Sequence, residues 1–412
     1  MLPLSGIRVI DYSHFLAGPF ISRSLAALGA DVIKVERPAQ GDAGRASPTR
    51  RDGVSGYFLQ QNMGKRGLCL DLRQPKAAEL MRRLAAKADV FVENYRPGAL
   101  ARLGLGYDTL SAANPGLVYC SVSAFGHTGP LSGRPGFGLI AEAMSGAMSI
   151  IGRPGEAPPL FRMPIADMYA GIHGTAAIVA ALYGRQTTGR GTHIDLALYD
   201  CMVSMHDYAV QGYLMSDGAE MPRQTGHDLP DSTVYGVFSA PDGHLVIAAQ
   251  VDDAWLRLAR LIGGEGLAAD ARFHGAANRN AHNAQALELV RNWCAAQPSR
   301  AAALAALDGA GVPAAPVQTV DEVVADPQIA ARGMIVEQDH PRLGKVRLPD
   351  LPFRFSAIER AVPVPAPDLG QHNAEIAREM GFAEAEIAEM LETGALHAAG
   401  RADDRGRGPL RI

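Results

Sequence analysis

Short apolar runs alternate with helical segments through the first 123 residues, and this alternation restricts the fold more than any other feature. Ile7–Tyr12 reads as a strand, Phe20–Leu28 as a helix and Asp31–Glu36 as a second strand. The pattern repeats with strand Leu68–Leu72, helix Pro75–Ala86, strand Val90–Glu93, short helix Pro97–Leu103 and strand Leu117–Ser123. Strands linked by helical crossovers must run parallel, so the expected fold class is α/β with a large doubly wound parallel sheet. In such sheets ligands bind beyond the carboxyl ends of the strands. The residues to inspect are therefore Ser13–Pro19, Arg37, Arg73, Asn94–Arg96 and Phe125–Gly138.

The first strand-to-helix turn, His14-Phe15-Leu16-Ala17-Gly18-Pro19, lacks the glycine fingerprint of dinucleotide binding, which disfavours a dehydrogenase. Glu36 ends the second strand where a ribose-binding acid would stand, a weak signal by itself. Arg37, Arg73, Arg96 and Arg102 follow strands or begin helices. Each is either a solvated surface arginine or one of a group whose planar guanidinium forks surround phosphates.

Further on, Met168–Tyr183 is rich in small and apolar residues without an internal proline, which predicts a closely packed helix. Asp167 stands before it as the expected N-cap, with its carboxylate held by first-turn amides and favoured by the helix dipole. Most capping aspartates do nothing more, but a fixed, ionised carboxylate is also an available nucleophile toward an activated acyl group. Local pattern leaves both roles open.

After the Gly189-Arg190-Gly191 turn come strand His193–Leu198 and one helix over Tyr199–Met215. The polar stretch Asp217–Ser232 reads as a linker or mobile loop. A smaller α/β domain follows, opened by the hairpin Tyr235–Ser239 and His244–Ala249 and continued by helices including Ala301–Ala310 and Val320–Val324. Short strands and prolines fill Ile335–Phe355, Val362–Pro367 reads as extended, and helices close the chain at Asn373–Glu379 and Glu384–Thr393. The Arg/Gly-rich tail from Gly400 to Ile412 is expected to be disordered.

With 47% hydrophobic and 20% charged residues in 412, the chain has the composition of a well-packed globular enzyme. A net charge of -4 gives no basic footprint for nucleic acid. Cys69, Cys120, Cys201 and Cys294 lie far apart and read as reduced core residues. No secretory signal pattern opens the sequence, and no apolar run approaches the roughly 20 residues of a membrane span, so a cytoplasmic protein is expected. The spacing of histidines and cysteines suggests no metal site, and His14, His127 and His227 read as structural or solvated.

Several stretches together resemble the class III CoA-transferases, which share their fold with α-methylacyl-CoA racemase. They are Leu4-Ser5-Gly6-Ile7-Arg8-Val9-Ile10-Asp11 with Ala17-Gly18-Pro19, Leu28-Gly29-Ala30-Asp31-Val32-Ile33-Lys34-Val35-Glu36-Arg37-Pro38, Gly41-Asp42, and Asn62-Met63-Gly64-Lys65-Arg66. The likeness continues through Ala88-Asp89-Val90-Phe91-Val92-Glu93-Asn94-Tyr95-Arg96-Pro97-Gly98, Gly104-Leu105-Gly106-Tyr107, Asp167-Met168 with Ala170-Gly171, and Thr188-Gly189-Arg190-Gly191. Tyr235-Gly236-Val237-Phe238, Asp242-Gly243 and Leu369-Gly370-Gln371-His372 complete it.

The resemblance implies a large CoA-binding domain formed by both chain ends (1–224 and 321–412), a small domain at 225–320 and an interlocked homodimer. It implies a CoA-transferase that moves CoA from a short acyl-CoA, such as succinyl-CoA, to a small carboxylic acid. Asp167 falls on the family nucleophile, which forms an aspartyl mixed anhydride and then an aspartyl-CoA thioester. CoA, a substrate and not a resident cofactor, would contact Leu16, Ala17, Arg37, Leu70, Arg73, Asn94, Tyr95, Arg96, Arg102 and the run Pro135, Gly136, Phe137, Gly138. The chain departs from formyl-CoA transferase in having Leu16 for a glutamine and Thr225–Asp231 for a glycine-rich run. Gly138 stands where the family often has an acid. Phe137 stands where the racemase relatives carry a histidine base, which argues for transfer over racemisation or epimerisation. A non-catalytic CoA-binding protein is the remaining alternative.

Overall fold

The strands Arg8–Tyr12 (β1), Asp31–Glu36 (β2), Arg66–Cys69 (β3), Val90–Glu93 (β4), Val118–Ser123 (β5) and Thr192–Ala197 (β6) form one sheet in the order β3-β2-β1-β4-β5-β6. Every neighbouring pair is parallel, with Ile10 opposite both Ile33 and Phe91. β1, β2, β4 and β5 are buried almost throughout. That burial explains their continuous apolar text, since strands covered on both faces lack alternation. The order reverses between β1 and β4, the switch point beyond whose strand carboxyl ends sheets of this kind place their ligand crevice.

The computed structural model describes residues 1–229, 231–358 and 362–398; the tail expected to be disordered, 400–412, lies outside them. Among the described residues, one compact unit comprises 1–145, 161–207, 328–358 and 362–398. Its core joins Ile33, Leu68 and Leu80 to Ile376, Met390 and Leu396, so both ends of the chain build it. The C-terminal segment is pinned to edge strand β3, where the Cys69 amide donates to Asn373 Oδ1 at 2.8 Å and the Gly67 amide to His372 Nδ1 at 2.9 Å.

The second unit comprises 146–160 and 208–327, and so contains the 225–320 segment. Its antiparallel sheet pairs Tyr235–Ala240 with Gly243–Ala248 and adds Ala314–Pro316. Trp255, Phe238, Phe273 and Leu258 fill its core.

In the first unit the helices that concern the site are Ala17–Ala27 (α1), Gly56–Asn62 (α2), Pro75–Ala86 (α3), Tyr107–Ala113 (α4), Gly138–Met144 (α5) and Ile165–Thr188 (α6). α6 packs on α1 through small residues, and a Cβ at Gly171 or Gly174 would run into Phe20 or Ile21. It stops at Gly189, whose φ of 66° is the left-handed conformation that glycine adopts freely.

Three local expectations differ. Pro97–Leu103 forms only a 3-10 turn at Ala101–Leu103. Tyr199–Met215 is two helices, Leu198–Ser204 (α7) and Ala209–Met215 (α8), with the break falling at the boundary of the two units. At that break His206 Nε2 meets the Ser145 carbonyl at 3.0 Å. Finally, α6, 24 residues long with an 18-residue window of mean hydropathy 1.4, is long and apolar enough to span a membrane by length and composition. Small residues conceal this in the sequence, and the buried face of α6 is the one that packs on α1.

Candidate active site

β1 ends at Tyr12, and the chain turns through Ser13–Leu16 into α1. Phe15 has a φ of 62°, a strained value for an aromatic residue, and its amide donates to Asp42 Oδ1 at 3.0 Å. Leu16 is the N-cap of α1 and Ala17 its first residue, and both are buried. Asn94, just past β4, clamps this turn from across the crevice: its Oδ1 accepts from the His14 amide at 2.8 Å and its Nδ2 donates to the His14 carbonyl at 2.7 Å. The Tyr95 ring lies 4.9 Å from His14 and 5.3 Å from Tyr12. The exposed Arg37 acts electrostatically on Tyr12, His14 and Tyr95. Leu16, Ala17, Arg37, Asn94 and Tyr95 thus gather at the crevice. Burial pushes His14 down to about 4, so it is neutral at pH 7.

Beneath the turn lies a buried ion cluster that sequence reasoning did not find. Lys34 Nζ reaches Asp42 Oδ2 at 2.8 Å and donates to the Ser13 carbonyl at 2.6 Å. Lys65 Nζ binds Asp11 Oδ2 at 2.8 Å, the Pro19 carbonyl at 2.9 Å and Asn62 Oδ1 at 2.9 Å. Burial alone would raise the Asp11 carboxyl, but the two ammonium groups override it and hold it well below the usual range. Burial brings Lys65 down to about 8 against the pull of Asp11. The available signal was a lysine inside the apolar run Val32-Ile33-Lys34-Val35, since a buried charge requires partners. Glu36 is not free for a ribose: Arg45 grips it at 2.8 and 2.7 Å and the Asp42 amide donates to it at 2.8 Å.

Asp167 is the third residue of α6 and not its cap; Pro164 is the N-cap, with no side-chain cap bond. Its half-buried carboxylate lies against α5, where a Cβ on Gly138 would overlap Oδ2. Burial first, and then the charge of Glu142, push Asp167 up to about 6. First-turn placement therefore does not hold its pKa low, as capping would have done. The amide end of α6 is instead served by Glu142, whose Oε1 accepts from Ala166 N–H at 3.2 Å. Glu142 was also missed, because the contact joins residues 24 apart and leaves no local pattern. On α2, Tyr57 is pushed up by burial and by the charges of Asp167 and Asp42.

Gly136 packs against Ala124 and Phe125 at the end of β5, where a Cβ would stand 2.7 Å from Ala124 Cβ. Pro135 is exposed, and Phe137, the N-cap of α5, is 69% exposed. Leu70 is buried and bridges to Leu396 beyond β3. Arg73 is exposed and held by Asp71 through bonds of 2.8 Å, and Arg102 is exposed in its turn; no described interaction joins either to the crevice residues. Arg96 lines a cavity of about 220 Å³ with Glu93, Ser121, His127 and His193. There burial pushes Glu93 up to about 7, and Ser121 Oγ lies 2.9 Å from His193 Nε2.

Residues 4–373 match the family model described as CoA-transferase family III. Succinate–glutarate CoA-transferase of Agrobacterium fabrum is 37% identical over 392 residues, spanning 92% of this chain and 96% of that protein. Human succinyl-CoA:glutarate CoA-transferase is 32% identical, spanning 95% and 89%. A solved structure of a CAIB/BAIF family protein from Brucella suis superposes with a TM-score of 0.82 at 38% identity, covering 92% of this chain and 99% of that one. The parallel sheet, the crevice at its reversal point and these likenesses over nearly the whole chain agree: the chain belongs to CoA-transferase family III.

Proposed function

We propose that this CoA-transferase moves CoA from succinyl-CoA to a small dicarboxylic acid with Asp167 as the nucleophile. The observation that carries the reading is the setting of Asp167: half-buried at the first turn of α6, with no ion-pair partner among the described residues and with its Oδ2 in the space that a Cβ on Gly138 would fill. At a value of about 6 the carboxylate is ionised at pH 7, while its burial leaves it poorly solvated and reactive. Succinyl or succinate donors in the names of the Agrobacterium and human relatives favour that donor, and their glutarate acceptors favour a dicarboxylate.

Asp167 attacks the thioester carbonyl, the C–S bond breaks, and CoA leaves as thiolate while a mixed anhydride forms. The thiolate then attacks the aspartyl carbonyl, which releases succinate and leaves an aspartyl-CoA thioester. The acceptor carboxylate attacks that thioester to give a second anhydride and free thiolate. Attack of the thiolate on the acceptor's acyl carbon yields the new acyl-CoA and restores Asp167. Every intermediate retains an activated acyl bond, so the site must exclude water. Leu16, Ala17, Arg37, Asn94 and Tyr95 hold CoA along the crevice, and Pro135–Gly138 bring it toward Asp167. Phe137 offers no proton acceptor for racemisation.

The catalytic protein is an interlocked homodimer with 225–320 as its small domain. Ile172, Val179 and Tyr183, exposed along α6, support a partner surface. Assaying a panel of acceptor acids with succinyl-CoA, using wild-type and Asp167→Asn protein, tests the reading. Transfer confined to the wild type, highest with dicarboxylates, supports it; full transfer by Asp167→Asn overturns it.

A further inference from the structure

Glu142 lies one helical turn beyond Gly138 on α5, so both residues face the start of α6. It is 3% exposed, and among the described residues neither Glu142 nor Asp167 has an ion-pair partner. An unpaired buried carboxylate is costly, and a neutral side chain would satisfy the Ala166 amide equally well. The negative charge therefore calls for a reason beyond that single hydrogen bond. The titratable groups that act on Asp167 or feel its charge are Glu142 on α5 and Tyr57 on α2, while Phe20 and Ile21 of α1 lie against Gly171 and Gly174 of α6.

We propose that Glu142 is a positioning residue that anchors the first turn of α6 through the Ala166 amide and raises the nucleophilicity of Asp167 by like-charge repulsion. The proposal rests on Asp167 being the nucleophile. As Asp167 attacks, its negative charge passes to the thioester oxygen and then to the departing sulfur. Repulsion from Glu142 is felt fully before the attack and less in the transition state, and an interaction that changes in this way lowers the barrier. The vacancy above Gly138 lets the Asp167 carboxylate occupy this position without steric displacement.

Glu142→Gln keeps an acceptor for Ala166 and removes the charge; Glu142→Ala removes both. The acid limb of the kcat–pH profile is expected to move to lower pH in Glu142→Gln, with kcat at pH 8 down about tenfold and KM for acyl-CoA unchanged. Glu142→Ala should lose further activity. Single-turnover formation of the aspartyl-CoA adduct, measured by mass spectrometry on folded protein, gives the same comparison if either variant melts early. A Glu142→Gln protein with an unmoved acid limb and wild-type kcat overturns the proposal while leaving an inactive Asp167→Asn, and hence the nucleophile, intact. An active Asp167→Asn overturns the nucleophile instead.

Discussion

Asp167 Oδ2 stands where a Cβ on Gly138 would crowd it, so the position of this carboxylate depends on a missing side chain. Gly138→Ala should displace the carboxylate. A misplacement of about 1 Å costs on the order of a hundredfold in rate, and kcat should fall accordingly. Stability should change by no more than about 1 kcal/mol, because alanine is the better helix former at this first position of α5. Steady-state kinetics beside urea melts separate the two effects.

The raised pKa of Asp167 also predicts how stability varies with pH. Its folded value of about 6 exceeds the ordinary 3.8, so the unfolded chain gives up this proton first and stability falls as pH rises from about 4 to 6. Above that window ionised Asp167 costs the fold on the order of 2 kcal/mol, allowing for its partial exposure. Asp167→Asn should therefore melt higher than the wild type at pH 8, and the difference should vanish near pH 4. Differential scanning calorimetry across this range checks both the size and the sign.

Breaking the buried cluster beneath the first turn should be far more damaging. Lys34→Met leaves Asp42 without its 2.8 Å partner, and Lys65→Met does the same to Asp11. Removing one partner from a buried pair costs about 3–5 kcal/mol. Urea unfolding should show that loss in both variants, whereas mutating the exposed Lys345–Glu337 pair should change little, as surface pairs do.

The arginines should separate by their engagement. Arg37→Ala and Arg96→Ala should raise KM for acyl-CoA about tenfold with little change in kcat, as expected when a charge-assisted contact made equally in ground and transition states is lost. Arg73 is already held by Asp71, so Arg73→Ala should have a smaller effect on KM.

Much of the fold was legible because its signals are local. Helix α3 begins at Pro75 and β2 and β4 occupy the expected spans, each a short apolar or proline-started segment. The errors came where a distant contact decides the structure. Asp167 reads as a cap because aspartate commonly is one, yet Glu142, 24 residues before Ala166, serves the start of α6. Likewise Lys34, Asp42, Lys65 and Asp11 were recognisable as family text, but their pairing depends on four segments converging under one turn. The long helix expected from Tyr199 breaks at a unit boundary that composition does not reveal.

As the proposed nucleophile, Asp167 would carry first the acyl group and then CoA. Incubating the protein with succinyl-CoA, quenching with hydroxylamine or borohydride and mapping peptides by mass spectrometry locates the carrier residue. A hydroxamate or a reduced alcohol is expected at Asp167, absent without acyl-CoA and absent in Asp167→Asn. Active enzyme with Asp167 unmodified, or with the adduct on another residue, would contradict it.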